Sequence, residues 1–138
     1  MADTLTPEQA NQLAQLYSDL ADAISDYRQI NFNSLSENDR DRLEQQSDDL
    51  RDKSTELLQL ALHLTLNNLN QTLVEVKNAT DNMKSAITKL QKVDKVIRIA
   101  AAAVTLAGAI VSGNPAAITN AIGGAITAAS KQKPAPVA

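Results

Sequence analysis

Apolar residues recur at spacings of three and four through Leu13, Leu16, Leu20, Ile24 and Tyr27, which predicts an amphipathic first helix over residues 7–30. Its start is marked locally. Thr6 suits the N-cap, Pro7 the first helical position and Gln9 the third, the arrangement of a capping box, with Leu5 and Ala10 at the staple positions. The polar, turn-prone stretch Asn31-Phe32-Asn33-Ser34-Leu35 ends it. Ser36 then caps a second helix whose first turn carries Glu37 and Asp39, and whose apolar seam is only Leu43, Leu50 and Leu57. Its other faces are charged, with Asp49 four residues ahead of Lys53.

From Leu58 to Leu66 every second residue is leucine, a strand pattern when taken alone. Helical flanks and the high helix propensity of leucine favour a helix with a wide apolar surface, with a kink or break possible at Asn67, Asn68 and Asn70. A heptad track follows. Leu62, Leu69, Val76, Met83, Leu90 and Ile97 form one row, and Leu66, Leu73, Thr80, Ile87 and Asp94 the other. The same phase continues through Ala101, Val104, Gly108 and Val111, so the sequence predicts one long helix over 37–98 that runs on into an apolar segment. Unbroken from 37 to 112, it would be about 110 Å long at ~1.5 Å per residue. Leu62, Leu66, Leu69, Leu73, Val76, Met83, Ile87 and Leu90 are the candidate helix-assembly positions.

Residues 99–130 contain no charged side chain. They divide at Gly113-Asn114-Pro115 into two Ala/Ile/Gly-rich arms, which reads as an apolar helical hairpin. In the second arm Ala117, Ala121, Ala125 and Ala129 make one stripe and Ile118, Ile122 and Ile126 another, and small residues at this spacing let helices approach closely. Lys131 to Ala138, with Pro134 and Pro136, is expected to be a disordered tail. The fold class expected is all-α, a single domain in the form of an elongated helical bundle with a long heptad-bearing helix and a C-terminal hydrophobic hairpin.

Composition narrows the chemistry. The 138-residue chain has no cysteine, which removes disulfides and thiol catalysis, and its aromatic residues are Tyr17, Tyr27 and Phe32. Its net charge of −3 is uneven: residues 1–60 carry 13 acidic and 5 basic side chains, and residues 61–138 carry 3 acidic and 8 basic. Basic residues thus surround the apolar segment. His63 is the single histidine and has no carboxylate at helical spacing. Asp48, Asp49, Asp52 and Glu56 lack the glycine turn and alternating ligands of a calcium loop, and read as a solvated face. No phosphate loop, paired-histidine or nucleophile motif is present, so no enzyme activity, cofactor or small-molecule substrate is expected. Lys77 and Lys84 extend the basic set, but without aromatic residues to stack on bases no nucleic-acid partner is expected. The opening residues form no basic, apolar leader, so synthesis in the cytoplasm is expected, with a final site at a membrane or after release by another route.

Lipid fits the remaining pattern. Lys89, Lys92, Lys95 and Arg98 precede the hairpin and Lys131 and Lys133 follow it, so both ends place positive charge where anionic headgroups would lie. Ile99, Val104, Leu106, Ile110, Val111, Pro115, Ile118, Ile122 and Ile126 are the candidate insertion residues. Residues 99–112 would span about 21 Å as a helix against roughly 30 Å of hydrocarbon, which points to insertion as an oligomer. Thr80 and Asp94 would then set register or face a polar lumen, while Asp94 reads equally as a surface residue.

In this layout the chain resembles the α-helical pore-forming toxins related to cytolysin A and to the haemolysin BL and Nhe components. The matching parts are Ile99–Ser112, the Gly113-Asn114-Pro115 turn and Ala116–Ser130, joined to the heptad helix before them, about the last 75 residues in all. The resemblance is architectural. It implies long amphipathic helices that shelter an apolar hairpin in the soluble form and release it on assembly, with homo- or hetero-oligomeric helical partners. The alternative is a soluble helical interaction or adaptor module whose hairpin is buried in its own bundle or against a partner. A small holin-like membrane protein shares the hairpin without needing the charged body.

Overall fold

The computed structural model describes residues 2–4, 6–60, 65–67, 69–89 and 92–129. Helices dominate it: α1 (Pro7–Ile30), α2 (Glu37–Leu60), α3 (Leu69–Thr88), α4 (Val93–Ser112) and α5 (Pro115–Ala129). A three-residue antiparallel pairing joins the two remaining segments, with Ala2 opposite Asn67 and Thr4 opposite Thr65. The class is all-helical.

α1 begins where its local code places it. Thr6 Oγ1 accepts the Gln9 amide at 3.0 Å, and Gln9 Oε1 accepts the Thr6 amide at 3.0 Å, so two otherwise unpaired N–H groups are satisfied reciprocally. Asn31 ends it, donating its side-chain amide back to the Tyr27 carbonyl. Ser36 caps α2 by accepting the Asp39 amide at 3.1 Å. The thin seam is real: Leu43, Leu50 and Leu57 are all fully buried. On α1 the buried row is Leu13, Tyr17, Leu20, Ile24 and Tyr27, with Leu16 only half-buried beside it. Lys53 pairs with Glu56 at 3.2 Å, and Asp49 instead accepts from Gln45.

The single long helix expected over 37–98 is three helices. α2 stops at Leu60 and α3 starts at Leu69, and within that interval Thr65–Asn67 is the strand that pairs with Ala2–Thr4. Of the alternating leucines, Leu58 and Leu60 are helical in α2, Leu66 lies in the strand, and Leu62 and Leu64 lie outside the described residues. The second break separates Thr88 from Val93, with Lys92 in an extended conformation (φ −59°, ψ 148°) at the start of α4. No Gly or Pro marks this break. Tertiary packing accounts for it, because turning back lets α4 bury Val96, Ile99 and Leu106 in place of extending an apolar helix into water.

The five helices follow one another round a ring. α1 packs on α2 and α3, α4 on α2 and α5, and α3 also on α5. Ser54 Oγ reaches the Ala14 carbonyl and Ser47 Oγ the Ala21 carbonyl, so α1 and α2 run antiparallel. Gln46 contacts Ile97 and Lys53 approaches Gly108, so α2 and α4 run parallel. Two grooves along the α1–α3 seam place Leu16 near Leu73 and Ile30 near Thr88, which makes that pair parallel as well.

Candidate functional site

α4 and α5 are joined by a two-residue link that is built from its own sequence. Gly113 takes φ 72°, a left-handed conformation that favours glycine, and its amide donates to the Ala109 and Ile110 carbonyls. Asn114 then caps α5: its Oδ1 accepts the amides of Ala116 at 3.0 Å and Ala117 at 3.2 Å, with Pro115 at the first helical position. The chain thus reverses with few unpaired backbone groups at the tip.

The pair divides its surface between core and solvent. Ile99, Ala100, Ala103, Leu106, Ala107 and Ile110 of α4 are buried, as are Ile118, Ala121, Ile122 and Ala125 of α5. Ala101 and Thr105 of α4 are exposed, and Val104, Gly108 and Val111 are half-buried. On α5 the exposed set is Ala116, Thr119, Asn120, Gly123, Gly124, Ile126 and Thr127. Ile126 departs from the isoleucine row that begins with Ile118, because each four-residue step turns the stripe by about 40° and carries it off the core. None of the exposed positions from Ala101 to Thr127 is charged. On α2, by contrast, the exposed positions include Asp41, Arg42, Glu44, Asp48, Arg51 and Asp52.

The basic residues before the hairpin cluster at the start of α4. Lys89, Lys92 and Arg98 are exposed and Lys95 is half-buried; Asp94 is exposed beside them, at the helix surface. Lys131 and Lys133 lie outside the described residues, as do Leu62, His63 and Leu90. Leu66 belongs to the short strand and Leu69 opens α3. The rest of the heptad track faces inward: Val76, Met83 and Ile87 are buried in the chain's own core and Leu73 is half-buried. Pro115 is the first residue of α5, directly after the Asn114 cap.

Thr80, a polar member of the track like the exposed Asp94, is also buried, and so is Tyr17 on α1. Neither hydroxyl has a hydrogen bond of good geometry. Burial drives the Tyr17 phenol far above its ordinary range, and the neighbouring Thr80 hydroxyl pulls weakly the other way. The apolar row Leu13, Leu16, Leu20, Ile24 and Tyr27 leaves Tyr17 out, yet Tyr17 is fully buried and Leu16 half-buried.

By length and composition α4 is the one helix among the described residues able to cross a membrane. Its 20 residues measure about 30 Å, but Asp94, Lys95 and Arg98 occupy its first turns, and the uncharged part, residues 99–112, measures about 21 Å. Less than half of its most apolar window, 44 %, is buried, and buried core helices of soluble bundles meet the same criterion. Comparison with known families, curated proteins and solved structures finds no match.

Proposed function

We propose that this chain is a membrane-active, oligomerising helical protein that holds its α4–α5 hairpin against an acidic α1–α2 body and delivers it to lipid, as a pore-forming subunit does. The observation that carries this reading is the exposed face of α4 and α5, which meets water without a single charge from Ala101 to Thr127. A helix of a soluble bundle ordinarily puts charges on that face, as α2 does. A face of Ala, Gly, Thr and Ile costs little to desolvate, and its small residues suit close helix contact within an assembly. Lys89, Lys92 and Arg98 at the base of the hairpin would meet anionic headgroups while the Gly113-Asn114 tip leads. Because Val76, Met83 and Ile87 are already used inside the bundle, subunits would meet through the exposed α4–α5 face unless α3 is repacked.

A second reading has its own support. Ile99, Leu106, Ile110 and Ile118 supply core to the bundle, which is what a soluble interaction module with a self-buried hairpin requires. Co-flotation and dye release from vesicles of anionic and of neutral phospholipid, with the purified chain alone, separate the two. The membrane reading expects binding and release, stronger on anionic vesicles and weakened by salt. A monodisperse helical protein that floats with neither vesicle favours the interaction module.

A further inference from the structure

The two seams of α2 are built from different chemistry. Towards α1 regular polar rungs lie between buried leucine layers. Ser54 Oγ donates to the Ala14 carbonyl at 2.8 Å, Ser47 Oγ to the Ala21 carbonyl at 3.1 Å, and Arg28 Nε of α1 to the Arg40 carbonyl at 3.0 Å. Each rung is seven residues from the next on both helices. Arg51 adds a hydrogen-bonded ion pair to Asp22 at 3.0 Å.

Towards α4 the same helix presents Gln46 and Lys53, whose side chains reach Ile97 and Gly108. There Gln46 Nε2 donates to the Ile97 carbonyl at 3.1 Å, while its Oε1 is buried with no partner. No protein donor meets that acceptor in the docked position, and it meets solvent when α4 moves away. The Ile97 carbonyl lies inside α4 and faces a helical amide four residues on, so it does not depend on Gln46.

We propose that α4, with α5, parts from α2 before the α1–α2 pair itself comes apart, and that Gln46 sets how easily it does so. The unpaired oxygen raises the docked state relative to the parted one, which makes Gln46 a built-in weakness in the seam. This deepens the membrane reading, supplying its release step, and rests on that reading for its purpose.

Hydrogen exchange followed by mass spectrometry, on the full chain without lipid and in low denaturant, tests it. In the wild type, peptides covering residues 96–112 and 116–128 exchange as a group at least about tenfold faster than peptides from α1 and α2. Gln46→Met keeps side-chain length and removes the stranded oxygen, and slows exchange of the α4–α5 peptides about tenfold. Gln46→Leu gives the same direction. Exchange of all helices together in the wild type would overturn the order of opening, and unchanged or faster α4–α5 exchange in both variants would overturn the role of Gln46. Neither outcome involves lipid, so a protein that opens in this order yet ignores anionic vesicles contradicts the membrane reading alone.

Discussion

Ser54 on α2 donates its hydroxyl to the carbonyl oxygen of Ala14 on α1 at 2.8 Å, and both the serine and its bond are buried. With Ser47 on Ala21 one heptad away, the bond fixes the antiparallel register of the first two helices between leucine layers. Register in a thin seam of Leu43, Leu50 and Leu57 would otherwise rest on packing alone, and identical leucines seven apart pack about equally well after a slip of one heptad.

Removing these rungs should therefore cost stability without changing the fold. Ser54→Ala is expected to destabilise by about 1 kcal/mol, and Ser47→Ala by about 1–2 kcal/mol because Ser47 also meets Ser25 and Arg51. Urea unfolding checks this, with the midpoint lowered and the slope unchanged. Leu50→Ala in the same seam should cost more, about 2–5 kcal/mol.

Tyr17 gives a pH signature. Its phenol is raised in the folded state, chiefly by burial, and Tyr27 is raised by burial and then by Asp39. Above roughly pH 10 the unfolded chain releases phenol protons that the folded chain keeps, so stability is fully present below that pH and falls as pH rises beyond it. Tyr17→Phe should flatten this alkaline decline. It should also leave stability at neutral pH unchanged or higher, since the hydroxyl it removes has no well-formed partner. Thermal melts between neutral and alkaline pH read both effects.

The glycines of the hairpin should behave in opposite ways. Gly113 sits at φ 72°, so Gly113→Ala is expected to cost about 1 kcal/mol. Gly123 and Gly124 are exposed within α5 and a Cβ on either meets open space, so alanine there should stabilise the soluble protein by about 0.5–1 kcal/mol each. Melting temperatures of the three variants decide the signs.

The parts of this fold that could be read from sequence are those written in local chemistry. Thr6 with Gln9, Ser36 and Asn114 satisfy neighbouring backbone groups with their own side chains where helices start, and Gly113 ends α4 through its left-handed backbone. The break between Thr88 and Val93 has no such mark, and the heptad phase crosses it undisturbed; the turn lets α4 pack on α2 and α5. Beyond the break after Leu60, Thr65–Asn67 pairs with Ala2–Thr4, a partner strand more than sixty residues earlier in the chain. For the hairpin, the uncharged run was plain in the sequence. Which residues face water was not, because Ala, Gly and Thr are tolerated on either side, and Ile126 drifted outward from an apparently regular row.

The central claim is that the exposed, uncharged face of α4 and α5 is meant for lipid. Charges at Ile110 or Ile122 would test it poorly, since both side chains are buried and the bundle would unfold under either reading. Ala101 and Thr105 are exposed, so glutamates there leave the soluble fold intact while opposing burial in hydrocarbon. The decisive measurement is dye release from anionic vesicles by wild type and by Ala101→Glu/Thr105→Glu, with helicity and melting temperature recorded for both. The account predicts release by the wild type and its loss in the variant at unchanged helicity and stability; equal release by the two proteins, or none from either, would contradict it.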